Sequence, residues 1–383
     1  MRLDTLRDIA CPADREGRPC RAGLVPDGSH PVLRPRAPAP CASAPRAPAD
    51  GDEILEALLA CTGCGTRYPV LLGVPVLVEP LGPYLRTHYY QMEEAQQAHG
   101  EFDARTRRFL TERMLDTMER PHGDLFKRPG ITHVDRDPQY ISAGIEFHYR
   151  PPPTEAYPPG SVAAHLTGIP DSPQGEAMAY LARSGRPAGG RALEVGCHVG
   201  GFVHDLARRS SFVYGVDLCF RTALVARQIA KGVPCPKGTY SAYEVSDVSV
   251  ERPFRADTRR NADFLVASGA RLPFGDGFFS TVACFHVSEV ADDGLALLDD
   301  MARVLQPGGL QVLASIDGFR DFARMQGGNG AGPSPHGALK DRLQRTCRLL
   351  EEKDNIPWIR RNSRRSFMVH MSHCLWGEKR GAP

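Results

Sequence analysis

The chain has 383 residues, 42% of them hydrophobic, and Lys+Arg minus Asp+Glu is 47 − 45 = +2. That length holds two or three domains at about 100–200 residues each, and the apolar share is enough for packed cores, which excludes a wholly disordered chain. A charge balance this close to zero leaves no overall basic footprint for nucleic acid, and no apolar run approaches the roughly 20 residues that cross a bilayer. The first residues lack the apolar stretch of a secretory leader, so a cytoplasmic chain is expected. In that compartment the eleven cysteines act as ligands or buried thiols rather than disulfides.

Residues 1–80 read as a small cysteine-rich module. Seven prolines from Pro26 to Pro48, set among Ala, Arg and Ser, mark 26–50 as a disordered insertion. Beyond it stands Cys61-Thr-Gly-Cys64, with the spacing of a metal-binding knuckle. The next run, Val70-Leu-Leu-Gly-Val-Pro-Val-Leu-Val, is β-rich, and Pro75 and Pro80 assign it to a sheet edge. Residues 81–174 read as a cap or linker, helical and polar over 84–120 and irregular over 121–173, where Pro, Gly, His and Tyr abound.

From 175 to 383 helices and strands alternate. Helices are expected at 176–183, 200–209, 223–231 and 295–305, and strands at 191–195, 212–217, 263–267, 281–285 and 310–315, with an irregular insertion over 232–260. Strands separated by helices of this length give a doubly wound α/β fold with a parallel sheet, and its ligand belongs at the carboxyl ends of the strands.

Four segments carry the chemistry. Leu193-Glu-Val-Gly-Cys-His-Val-Gly-Gly201 is a buried strand that ends in a carboxylate and turns through glycines into a helix. Such a turn lets backbone approach a ligand and presents free N–H groups. Asp217 closes the next strand, where a carboxylate can accept the two hydroxyls of a ribose. Gly269-Ala-Arg-Leu-Pro-Phe follows the third strand, and Arg303-Val-Leu-Gln-Pro-Gly-Gly opens the fifth. Together these segments resemble the class I S-adenosylmethionine-dependent methyltransferases, which commonly read E-x-G-x-G-x-G, a strand-end acid, D-A-x-x-L-P-F and R-V-L-x-P-G-G. The resemblance covers about residues 175–316 and implies a Rossmann-like sheet. It also implies that Glu194, Gly196 and Gly200 line the methionine end of the cofactor, that Asp217 holds the ribose, and that Ser268, Gly269 and Ala270 flank the adenine. Two positions depart from the pattern: His198 replaces the middle glycine, and Gly269 replaces the aspartate.

The amino-terminal module resembles the zinc-ribbon family that activates RNA and protein methyltransferases and is also found fused to them. By that resemblance Cys11, Cys20, Cys61 and Cys64 hold one structural Zn²⁺. Asp14 stands where a simple first knuckle would have its second cysteine, and Cys20 is the best substitute. The carboxyl end, with Asn355-Ile-Pro-Trp-Ile-Arg-Arg and a late tryptophan, is loosely similar to mercaptohistidine N-methyltransferases. The expectation is a methyltransferase acting on a small, nitrogen-containing molecule, with His286 and Glu289 facing the acceptor and Trp358, Arg360 and Arg361 beside it. Methylation of RNA or protein, or a non-catalytic scaffold with a dead cofactor pocket, are the alternatives.

Overall fold

The computed structural model describes residues 1–15, 18–28, 32–34, 53–118, 139–149, 157–169, 172–232, 239–245, 248–254, 258–291, 293–318, 334–363 and 365–381. The first strands are β1 (Asp14–Arg15), β2 (Arg18–Pro19), β3 (Leu24–Pro26), β4 (Val32–Arg34), β5 (Glu53–Cys61), β6 (Arg67–Leu71) and β7 (Val74–Leu77). After the helices Leu81–His99, Ala104–Met118, Gln139–Tyr149, Val162–Gly168 and Pro173–Arg183 come β8 (Arg191–Val195), β9 (Phe212–Asp217), β10 (Thr239–Val245), β11 (Val248–Pro253) and β12 (Ala262–Ala267). The chain closes with β13 (Phe279–Phe285), β14 (Leu305–Ser315), β15 (Cys347–Arg361) and β16 (Phe367–Lys379).

Seven strands, in the order β12-β9-β8-β13-β14-β16-β15, form the doubly wound sheet. All pairings are parallel except those of β16, which runs antiparallel to both β14 and β15. The order reverses between β8 and β13, which sets the ligand crevice at their carboxyl ends. Local sequence accounts for the elements. Every residue of β12 (Ala-Asp-Phe-Leu-Val-Ala) is buried, as a central parallel strand requires. The helix Gly294–Val304 starts where Asp293 Oδ1 accepts the amides of Leu295 (3.0 Å) and Ala296 (2.9 Å). It buries Leu297, Leu298 and Met301 against the sheet.

The cysteine-rich module is part of the same sheet. β7 lies parallel to β12, pairing Val76 with Val266 and Leu77 with Ala267, and the order continues β7-β6-β5-β3 with β4 beside β5. The run containing Pro75 is therefore internal and not an edge. Pro75 is tolerated because it faces Val70 of β6, while the ladder to β12 begins one residue later, so its missing N–H costs that ladder nothing. Asp263, fully buried on β12, accepts the Thr5 hydroxyl (2.7 Å) and the Arg2 amide (2.9 Å). Tyr214 donates to Asp8 at 2.6 Å.

Three further expectations change. The segment 232–260, expected to be irregular, contains the β10–β11 hairpin, and the irregular cap contains the helices Gln139–Tyr149 and Val162–Gly168. Inside the expected disordered insertion, β4 pairs with β5, because Val32 and Leu33 find the open side of an existing strand. The rest of 26–50, apart from residues 26–28, and the stretch 119–138 lie outside the described residues.

Candidate functional site

The loop after β8 is built on three alternating left-handed backbone positions: Gly196 (φ 77°), His198 (φ 49°) and Gly200 (φ 80°). Glycine takes this conformation freely, whereas a side chain there costs about 1–2 kcal/mol. His198 therefore carries a backbone strain that the methyltransferase pattern avoids. The amides of Gly196 (2.7 Å) and Cys197 (3.0 Å) are tied to the Val216 carbonyl, which holds the loop against β9. Glu194, 1% exposed, accepts the Val203 amide at 3.1 Å and so orients the start of the helix Gly201–Leu206. Burial, reinforced by Asp217 and Asp205, pushes its carboxyl well above the usual range.

Asp217 faces this loop. Its Oδ2 accepts the His198 amide at 2.7 Å and its Oδ1 the Cys219 amide at 2.9 Å. The Thr222 side chain and the Leu218 amide also bond to this carboxylate. Burial raises this carboxyl too. The corner that follows Asp217 is pinned by a helix from far upstream. Gln91, 1% exposed on Leu81–His99, accepts the Arg221 amide (3.1 Å) and the Cys219 thiol (3.5 Å), and Tyr84 donates to the Leu218 carbonyl (2.9 Å). The helix Phe220–Ala230 has no side-chain cap from its own Cys219, so Gln91 serves in that role. Neither Gln91 nor Tyr84 stood out in the sequence, because nothing local ties them to a strand end 130 residues away.

On the far side of β9, Ser268, Gly269 and Ala270 form the turn after β12, with the Ala270 amide 3.3 Å from Ser268 Oγ. A Cβ on Gly269 would run into the Leu297 methyl and lie 2.8 Å from Val195 Cγ1. Counted back from Leu272-Pro-Phe274, the aspartate of D-A-x-x-L-P-F falls on Ser268 and not on Gly269, which takes the place of the small alanine, where space for a side chain is scarce.

His286 and Glu289 follow β13, across the crevice from Asp217's side. His286 Nε2 is 2.8 Å from Ser372 Oγ, and its ring lies 4.2 Å from that of Trp358. Burial, with His370 nearby, lowers His286 to about 3, so the imidazole is neutral at ordinary pH. Glu289 accepts the Ile316 amide and the Ser288 hydroxyl, and burial raises its carboxyl. Trp358 is already flanked by His286, His370 (5.4 Å) and Phe147 (5.5 Å), so it organises these rings instead of standing open for stacking. Arg361 turns to Glu146 (3.9 Å) and the Tyr157 ring, and Arg360 to Asn362 (3.0 Å).

A second constellation lies in the amino-terminal module. The Sγ atoms of Cys11, Cys20, Cys61 and Cys64 all fall within 4.8 Å of one another, with Cys11–Cys64 at 3.6 Å and Cys20–Cys61 at 3.5 Å. A tetrahedron with Zn–S bonds of about 2.3 Å has S···S edges of about 3.8 Å. The amides of Gly63 (3.3 Å) and Cys64 (3.4 Å) point at Cys61 Sγ. Asp14 stands apart, 3.7 Å from Arg271.

Residues 193–313 match the family model described as a methyltransferase domain. The chain is 27% identical over 142 residues to a ubiquinone biosynthesis O-methyltransferase of Xanthomonas euvesicatoria, covering 37% of this chain and 48% of that protein. It is 26% identical over 129 residues to the enzyme of that name from Paracidovorax citrulli, covering 34% and 44%. The chain thus spans about half the length of the curated relatives it matches. Among solved structures, it is similar to YcgJ from Bacillus subtilis (TM-score 0.38, 15% identity, 55% of this chain and 99% of that one). It is also similar to the N-methyltransferase NodS from Bradyrhizobium japonicum, solved with S-adenosyl-L-homocysteine (TM-score 0.36, 16% identity, 63% and 99%). Residues 193–313 thus match a methyltransferase domain and lie in a Rossmann-like, doubly wound sheet.

Proposed function

We propose that the chain is an S-adenosylmethionine-dependent methyltransferase whose acceptor is a small molecule. The observation that carries this reading is the meeting of the left-handed loop 196–200 with Asp217 at the switch point of the sheet. Glu194, Gly196 and Gly200 would border the methionine end of the cofactor, Asp217 its ribose, and the Ser268–Ala270 turn its adenine. The cofactor supplies an electrophilic methyl group on a sulfonium. What remains for the protein is to align the acceptor and keep water out.

His286 and Glu289 are the proposed acceptor-side groups. In the tautomer whose Nε2 carries the proton toward Ser372, the neutral imidazole would keep a lone pair on Nδ1 to take the acceptor's proton. The ring-lined setting of His286 under Phe147 and Trp358 supports an enclosed small acceptor. The inward pairing of Arg361 counts against an open basic face for RNA or protein. A nitrogen acceptor follows from the sequence resemblance, and the O-methyltransferase relatives support an oxygen one equally. Cys11, Cys20, Cys61 and Cys64 would hold one structural Zn²⁺, supported by four convergent thiols with no position left for a substrate.

Calorimetry with S-adenosylhomocysteine tests the cofactor assignment. Asp217→Ala removes the ribose acceptor and orphans two amides, so binding should weaken by about 1.5–3 kcal/mol, or roughly ten- to a hundred-fold. Wild-type protein that binds neither S-adenosylmethionine nor S-adenosylhomocysteine would overturn the reading. Gln91→Leu should weaken the same binding about ten-fold by freeing the Arg221 amide, while Gln91→Glu, which keeps an acceptor oxygen, should recover most of it. Equal affinity in Gln91→Leu and wild type would show that the corner holds its shape without that contact.

A further inference from the structure

The strained residue of the cofactor loop is explained by the helix that lies over it. Gln139–Tyr149 touches the loop through four of its residues. The His198 ring sits directly against Gly144, where any Cβ would collide with it. Tyr140 meets the same ring edge-on at 4.4 Å, and His148 stacks on it at 5.4 Å with 13° between planes. A Cβ on Gly201 would lie 2.9 Å from the His148 carbonyl oxygen, so the helix backbone rests on the loop itself. Tyr149 donates to the Val199 carbonyl at 2.8 Å.

The same helix reaches the acceptor side. Phe147 packs edge-on against Trp358, which lies beside His286, and Glu146 accepts from Tyr240 (2.6 Å) and Arg252 (2.8 Å) of the β10–β11 hairpin. One helix thus spans the cofactor loop, the hairpin and the ring cluster around His286. Its seat on the loop is a knob in a hole: a histidine where the backbone prefers glycine, and a glycine where a helix prefers alanine. Each is locally unfavourable, and each fits the other.

We infer that His198 is a positioning residue that locks the helix Gln139–Tyr149 as the roof of the methyl-transfer chamber and couples the seating of that roof to the cofactor loop. The imidazole acts through the helix, while its own amide stays on Asp217. The coupling rests on the methyltransferase reading, whereas the interlock itself does not.

Amide hydrogen exchange of 139–149 in the full chain tests both parts. Without ligand, Gly144→Ala should speed exchange of this helix about ten-fold through the collision with His198. In a His198→Gly background the same Gly144→Ala change should add less than two-fold, because the knob is gone. His198→Asn, which tolerates the left-handed backbone but lacks the ring, should behave like His198→Gly. Equal effects of Gly144→Ala in both backgrounds would overturn the interlock. With saturating S-adenosylhomocysteine, wild-type exchange over 139–149 should slow about ten-fold further. In His198→Gly that slowing should vanish while amides of 194–201 are still protected by the ligand. Undiminished slowing in His198→Gly would overturn the coupling, and loss of protection over 194–201 would make His198 a cofactor contact instead. A wild type that binds no S-adenosylhomocysteine would sink the coupling together with the methyltransferase reading, while the Gly144 and His198 pair would still decide the interlock.

Discussion

Cys61→Ser is expected to yield protein without bound zinc and with a melting transition about 10 °C lower than wild type. Structural Zn²⁺ is worth about 10–16 kcal/mol in isolated metal-folded peptides, so forfeiting even a third of that, about 3–5 kcal/mol, shifts a domain of this size by that order. Cys61 meets Cys20 and receives two amides. The loss should also travel. β6 and β7 follow the knuckle directly, β7 is hydrogen-bonded to β12, and the next helix carries Gln91 to the corner after Asp217. Elemental analysis should find one zinc per wild-type chain and none in the variant. Wild type purified without chelators at a metal content near zero would refute the assignment.

Acidification below pH 6.5 is expected to cost folding stability through two buried histidines. An unfolded histidine titrates near 6.5, whereas burial holds His148 at about 4 and His286 at about 3. Below pH 6.5 the unfolded chain takes up protons that the folded chain refuses. The stability these two contribute is therefore complete above 6.5 and falls as pH drops toward 4, at about 1.4 kcal/mol per histidine per pH unit. Glu194, Asp217 and Glu289, raised by burial, oppose this trend by binding protons preferentially in the folded state. Comparison with variants isolates the histidine share. His148→Gln and His286→Gln should each flatten the urea-midpoint profile between pH 6.5 and 4 by about 1.4 kcal/mol per unit. Profiles parallel to wild type would mean that these imidazoles are solvated in the folded protein.

What the sequence determined by itself was chemistry that local rules encode. Left-handed turns need particular residues, so Leu193–Gly201 was readable as a ligand loop, and Asp217 as its partner at the end of the next strand. Two-residue spacing between thiols is also a local signal, which made Cys61 and Cys64 legible. The alternation of apolar runs from 175 onward reported the doubly wound sheet for the same reason: a buried parallel strand must be apolar along its whole length.

Only the tertiary structure decided who covers whom. Cys20 is the substitute the sequence offers for the missing first-knuckle cysteine, and its convergence with Cys11, Cys61 and Cys64 depends on a fold that crosses a long insertion. Pro75 read as an edge signal because the rule counts one missing donor, whereas the register shows that donor was never needed. Gly269 takes the place of a small residue because Leu297 and Val195 fill its side-chain space. His198 looked like damage to a glycine loop until Gly144, 54 positions earlier, supplied the hole for its ring. In each case the deciding partner lies far along the chain, and steric fit between distant residues leaves no periodic trace in either segment.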